Sequence, residues 1–277
     1  MVTYGTEIAH LACGPLREFL AMTHPLRMSR LRLIAATLVI PGALGAQAAP
    51  SGGSGFFFGM PRASIGIRGG FSLPRANAAP DGFFAFATRE LTLGKSDFNA
   101  MSLRADLDAV FAGPVDVVFG VGYSVAGAPS EFRDWVDQND RPITQRTRLS
   151  TKTYTVAARW NITARGRHIG QFIWIPARVL PYVGVGAGAL RYSLWQDGYF
   201  VDAQDLSIFR DHLASHGWTV LALVMAGADY SLGKRLFASA EARYQWANAE
   251  LRQDFVGFDD GIDLSGLQLS LGLHVRI

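Results

Sequence analysis

Few residues in this chain stand at spacings that could do chemistry. His212 and His216 lie four apart in Asp205 to Gly217 (DLSIFRDHLASHG), with Ser207 and Ser215 close by. Read as a short helix, the segment would put both imidazoles on one face, a spacing that can bind a metal. A His beside a Ser also suits the nucleophile and base of a hydrolase. Two ligands do not close a metal site, so the pair carries no metal or catalytic assignment. Asp134, Asp137 and Asp140 repeat every third residue, as carboxylates around Ca²⁺ or Mg²⁺ can, but the Gly and closing Glu of a calcium loop are missing. Gly184, Gly186 and Gly188 fit a G-x-G spacing, yet no helix follows to present its N-terminus to a phosphate. HExxH and CxxC are absent, and His274 reads as the partner of a carboxylate. No catalytic residue, metal or cofactor is therefore expected.

The remaining charged positions are informative as a set. Arg104, Asp106, Asp108, Arg159, Asp229, Glu241, Arg243, His274 and Arg276 each alternate with apolar neighbours. Alternation with period two is the mark of strands with two unlike faces. The last segment is the clearest. Leu267, Leu269, Leu271, Leu273, Val275 and Ile277 share one face, and Gln268, Ser270, Gly272, His274 and Arg276 share the other. The same pattern runs through Ile65–Leu73, Leu103–Phe111, Val115–Tyr123, Tyr154–Ile162, Trp218–Tyr230 and Leu236–Trp246. Tyr182–Trp195 makes an eighth, glycine-rich strand of ambiguous facing, and Leu221, Leu223 and Met225 blur the polar face of Trp218–Tyr230.

Nine ionisable groups cannot share a dry core unless they are paired. A polar barrel interior would accommodate them through salt bridges and water. On that reading Glu241→Gln costs less than a charge placed on the opposite face at Ala240. A soluble up-and-down barrel would put its polar face outside. Here the apolar faces are the ones left to face out, which disfavours a soluble ligand-binding barrel. Short turns at Gly113-Pro114 and Gly233-Lys234-Arg235, with a longer link at 163–179, mark one end. Long loops at 74–100, 126–147, 196–216 and 248–263 mark the other, as in outer-membrane barrels. Aromatics gather toward both ends: Phe111, Trp160, Tyr230 and Phe237 by the short turns, Tyr123, Trp195, Trp218, Tyr244 and Trp246 by the long loops.

Composition agrees. Charged residues are 18% of the 277, against about 25% in a soluble domain. The net charge of +3 falls to +1 once the first 48 residues, with four Arg and two Glu, are set aside. That balance gives no basic face for nucleic acid. Arg27, Arg30 and Arg32 precede an apolar run, Leu33–Leu44, and a small-residue site, Ala46-Gln47-Ala48. This order predicts a cleavable export signal ending at Ala48, and the run is too short to span a bilayer as a helix. Residues 1–27 read as an extension upstream of a second start at Met28. The only cysteine, Cys13, falls in the removed part. His10 occupies the position where a lipoprotein signal needs an apolar residue. The expected organisation is a signal peptide at 1–48, a linker at 49–61 and a barrel at 62–277.

The segment Pro181-Tyr182-Val183-Gly184-Val185-Gly186-Ala187-Gly188 and the closing strand Leu267–Ile277 resemble the OmpW/OmpA-like outer-membrane β-barrel superfamily. The resemblance implies an all-β fold, an eight-stranded antiparallel up-and-down transmembrane β-barrel in the cell outer membrane. It implies outer-membrane lipids, the barrel-assembly machinery and periplasmic chaperones as partners, with the C-terminal strand as the assembly signal. The function expected is a structural barrel or a narrow small-solute channel. The competing reading is a lipid-modifying enzyme on the same scaffold.

Overall fold

The computed structural model describes residues 56–76, 79–202 and 205–277. The expected export signal, with Ala46 and Ala48, lies outside the described residues. Eight strands form a closed ring: β1 (Ala63–Pro74), β2 (Ala100–Ala112), β3 (Val115–Val136), β4 (Pro142–Asn161), β5 (Val179–Val201), β6 (Ile208–Ser231), β7 (Leu236–Trp246) and β8 (Gly266–Arg276). Each pairs antiparallel with the next, and β8 pairs with β1 to close the barrel. Following paired residues round the ring from Leu236 through Val275, Ile65, Leu107, Phe119, Val156, Ala187 and Ala222 arrives at Trp246, ten residues further along β7. That stagger tilts the strands by about 35–45° to the barrel axis, and eight strands enclose a bore just wide enough for side chains to fill.

Closure has a chemical reason. An open edge in hydrocarbon would leave backbone N–H and C=O groups without partners. Leu267, Leu269, Leu271, Leu273 and Val275 of β8 point outward while the strand bonds to β7 on one side and β1 on the other. Ile277 follows, its N–H donating to the Ala63 carbonyl at 2.8 Å. Among the described residues no helix is long and apolar enough to cross a membrane.

Strand length divides the ring. β7 and β8 have 11 residues, β1 12 and β2 13, close to the 9–11 that span a bilayer when tilted. The strands β3 to β6 have 22, 20, 23 and 24. The stretches expected as loops at 126–147 and 196–216 are therefore mostly strand, and a tip at 137–141 joins β3 to β4. Asp205–Gly217 is not helical. From Ile208 on it belongs to β6, because its residues pair with Tyr192–Val201 of β5 in an unbroken ladder. Four strands thus continue as a wall standing about ten residues above the rest.

The wall has two edges, and loops cover both. On the β3 edge, Leu91 bridges to Phe132, and Glu131 exchanges hydrogen bonds of 2.9 Å with Thr92. On the β6 edge, beyond the top of β7, the N–H groups of Ala214 and His216 donate to the side chains of Asp254 (2.9 Å) and Gln253 (3.0 Å). The covering segments are 79–99, which holds the helix α1 (Phe83–Glu90), and 247–265. Helix α1 has no side-chain N-cap. An eight-residue helix is too short to persist on propensity, and burial of Phe83, Phe84 and Ala87 holds it.

At the short-turn end the link after β4 is not a plain loop. Gly166–Ile169 and Ile173–Pro176 pair with each other, and the latter also pairs with Phe57–Phe58. The segment expected as a linker therefore adds a strand to a small sheet beneath the barrel, with Trp174 buried in it.

Candidate functional site

The lumen is the first place to look for function, and it is filled at two levels by different chemistry. The lower level is ionic. Glu241 of β7 sits at its centre: it takes Arg104 at 2.7 Å, Arg243 at 3.2 Å and Arg68 at 3.8 Å, and accepts a hydrogen bond from the Tyr182 hydroxyl at 2.9 Å. Asp106 bridges Arg68 (2.7 Å) and Arg104 (2.8 Å). Nearer the short-turn end Arg159 pairs with Asp229, and its guanidinium lies 3.7 Å from the centre of the Tyr182 ring. Asp116 holds Arg165 at 2.5 Å and accepts from Asn161 at 2.6 Å. His274 places Nδ1 3.5 Å from Asp108, which also accepts from Ser64 at 2.8 Å.

All of the alternating charges singled out above point inward, Arg276 at the mouth with its guanidinium over the Phe237 ring. The network adds Arg68, Arg165 and Tyr182, and also Asp116, which the alternation puts on the polar face of Val115–Tyr123 though it is not among the nine charges. Arg68 has the inward parity of its strand, but Gly66, Gly69 and Gly70 around it leave its alternation without contrast. Tyr182 sits in the glycine-rich strand whose facing was ambiguous. The structure settles that strand: Tyr182, Leu190, Tyr192, Leu194 and Gln196 face in. Glycine is required where a neighbour fills the space. A Cβ on Gly66 would collide with the His274 ring, and one on Gly184 would lie 2.6 Å from the Met225 side chain.

This interior is held by salt bridges and leaves less room for water than the sequence reading allowed. The carboxylates and guanidiniums of the Glu241 cluster are almost fully excluded from solvent. A cavity of about 60 Å³ remains at the short-turn end, lined by Ser64, Asp108, Arg159, Trp174 and Asp229 among others. Such a volume admits a water or two.

The upper level is apolar. Leu190, Leu194, Leu221, Leu223 and Met225 line it from the strands, and Phe83, Phe84, Phe98, Phe255 and Ile262 enter from the two folded-in loops. Phe84 meets Phe98 edge-on with centroids 4.8 Å apart, and Phe83 does the same with Phe255 at 6.0 Å. The three residues that blurred the pattern of Trp218–Tyr230 are thereby explained. Leu221, Leu223 and Met225 face inward against a plug, and Trp218, Val220, Ala222 and Val224 face out.

The remaining sites disperse. His212 and His216 lie on the outer face of β6, a strand, where an i, i+4 pair is too far apart to share an ion. Ser215 is buried, its hydroxyl accepting from the Arg252 N–H at 3.0 Å. Asp137 closes the β3–β4 tip by accepting the Arg141 and Asn139 N–H groups at 2.8 and 2.7 Å. Those bonds, Arg141's first, hold its carboxyl below the usual range. No group of three or more potential metal ligands occurs among the described residues. Phe237 was expected in the lower aromatic girdle. It points inward instead, stacked on His274 at 5.0 Å. Phe111, Trp160 and Tyr230 do face out at that end, and Tyr123, Trp218 and Trp246 at the other. Trp195 also faces out but stands higher, on the wall.

An outer surface of exposed Ile, Leu, Val, Phe and Ala, closed hydrogen bonding and an ionic interior define the class: a transmembrane β-barrel of the outer-membrane kind. No protein-family model and no curated protein sequence matches the chain. Among solved structures it is similar to Neisserial surface protein A, at 11% identity, covering 82% of this chain and 99% of that one with a TM-score of 0.44. It is similar to OprG from Pseudomonas aeruginosa at 12% identity, 80% and 99% coverage and a TM-score of 0.42. It is also similar to Ail of Yersinia pestis at 11%, 78% and 99%, and 0.39.

Proposed function

We propose that this protein is a closed outer-membrane barrel whose task is structural, to hold a four-stranded wall at the cell surface, and that it does not conduct solutes. The observation that carries this reading is the double filling of the lumen. An ionic network blocks the lower half, and an aromatic plug tied into both edges of the wall blocks the upper. Of the two roles expected from the sequence, this favours the structural one over the narrow channel.

The enzyme reading has one observation in its favour. Ser193 and His216 stand opposite each other in register on the outer face. Yet no hydrogen bond links their side chains, and no carboxylate orients the imidazole among the described residues, as an activated nucleophile would need. Recording in planar bilayers tests the proposal: the intact protein is expected to give no steady single-channel steps. Replacing residues 79–98 by a short Gly-Ser linker should admit small, flickering currents limited by the ionic layer below. Steady conductance by the intact chain would overturn the closed reading, and ester hydrolysis of outer-membrane lipids would overturn the non-enzymatic one.

A further inference from the structure

The outer face of the wall changes character at one height. On β4 the outward side chains run Trp160, Ala158, Val156, Tyr154 and then Lys152. On β5 they run Val183, Val185, Ala187, Ala189 and then Arg191. Lys152 and Arg191 are direct cross-strand partners, and Tyr123 and Trp218 flank them on the same rung. From Asn161 to Lys152 is ten residues, the length that carries a tilted strand across the hydrocarbon. The two cations therefore stand where apolar tails give way to headgroups. Arg191 lies over the Trp218 ring at 5.8 Å, an amphipathic pair suited to that boundary.

Further up β4, Arg148 and Arg146 face the same way, two and three rungs above. Lys152, Arg148 and Arg146 are exposed and make no ion pair among the described residues. Asp197, the cross-strand partner of Arg146, also lies 4.0 Å from Arg210, and no acidic residue stands on the rungs of Lys152 or Arg148. The outward faces of β1, β2, β7 and β8 hold no basic residue at all. The cations are thus confined to one flank, begin at the membrane boundary and rise from it.

Resting on the outer-membrane reading, we infer that this flank is a binding site for the phosphate groups of a phosphorylated outer-leaflet glycolipid, with Lys152 and Arg191 as the lower contact and Arg148 and Arg146 as the upper. Exposed cations bring no stability to the fold, and a surface of fixed phosphates at the same height supplies the complement. Each Lys or Arg near an anionic lipid surface contributes about a fivefold gain in affinity, and salt weakens it.

The test uses the full chain refolded in phosphatidylcholine bilayers, with bisphosphorylated lipid A titrated in and tryptophan fluorescence read. The phosphorylated lipid is expected to bind well above its dephosphorylated counterpart. The double variant Lys152→Gln/Arg191→Gln should bind roughly twenty-fold more weakly, while Arg62→Gln/Arg235→Gln at the opposite end leaves binding unchanged. Equal binding of the dephosphorylated lipid, or full binding by the first double variant, overturns the inference. Because wild type supplies the lipid comparison, a misfolded variant does not rescue it. The heat-modifiable folded band in phosphatidylcholine alone checks the barrel separately: a chain that forms the band but ignores phosphate refutes only this site, and one that never forms it refutes the barrel.

Discussion

The lower and upper halves of the lumen are both closed to water, but they are closed by different parts of the chain. Below, every partner but Arg165 comes from a strand, and several contacts reach past the neighbouring strand: Arg104 of β2 meets Glu241 of β7, Arg68 of β1 meets the same Glu241, and Arg159 of β4 meets Asp229 of β6. Above, the strands give only a lining of Leu and Met, and the filling comes from loops. The difference teaches where each half stores its stability. The ionic half is part of the ring and can fail only with it. The apolar half hangs from loops and can open while the ring stays closed.

Glu241→Gln should break the comparison most severely. The substitution leaves Arg68, Arg104 and Arg243 crowded together without their shared carboxylate. Removal of one partner from a buried cluster costs about 3–5 kcal/mol. Urea titration in lipid vesicles should show a loss of that order, larger than expected for a wet interior. Ala240→Arg comes next: Ala240 faces out, between Ala238 and Ala242, and Arg near the bilayer midplane costs roughly 2–4 kcal/mol. If it proves the more damaging of the two, Glu241 is solvated and the lower half is not dry.

Phe84→Ala probes the other half. The ring is buried, and truncating such a residue in a cooperative core costs about 3–5 kcal/mol. Because the plug can open alone, a smaller loss of global stability is expected, about 1–2 kcal/mol, with faster amide exchange in residues 83–98 and none in β7. An equal rise of exchange in β7 would show that plug and ring form one unit. The smallest effect belongs to the β3–β4 tip. The lowered pKa of Asp137 means its carboxylate supports the turn at any pH above the ordinary carboxylate value of 3.8. That support is lost as pH falls through the lower folded value. The protection factor of the Asn139 amide should fall only in that acid range and should not change with pH in the Asp137→Asn variant.

The ionic half was legible because it obeys strand periodicity. Arg104, Asp106 and Asp108 alternate with apolar neighbours, and so do Glu241 and Arg243. A residue's face follows from its position parity alone. Tyr182 escaped because the glycines that follow it, Gly184, Gly186 and Gly188, erased the contrast on which the pattern depends. The plug was invisible for a different reason. Phe83, Phe84 and Phe98 show no period of two, and Leu221 and Leu223 read as noise in a polar face until their partners from the loops are known.

By itself the sequence determined the ring: seven alternating segments and a glycine-rich eighth, the inward charges, the outward Leu row of β8 and the short turns that order them. Those properties are local, since each strand's two faces are written in its own residues. Only the tertiary structure decided what fills the bore, which charges pair across it, and that two expected loops rise as a wall. The reason is that a barrel's interior neighbours come from the far side of the ring, and their meeting depends on the ten-residue stagger that no single strand encodes.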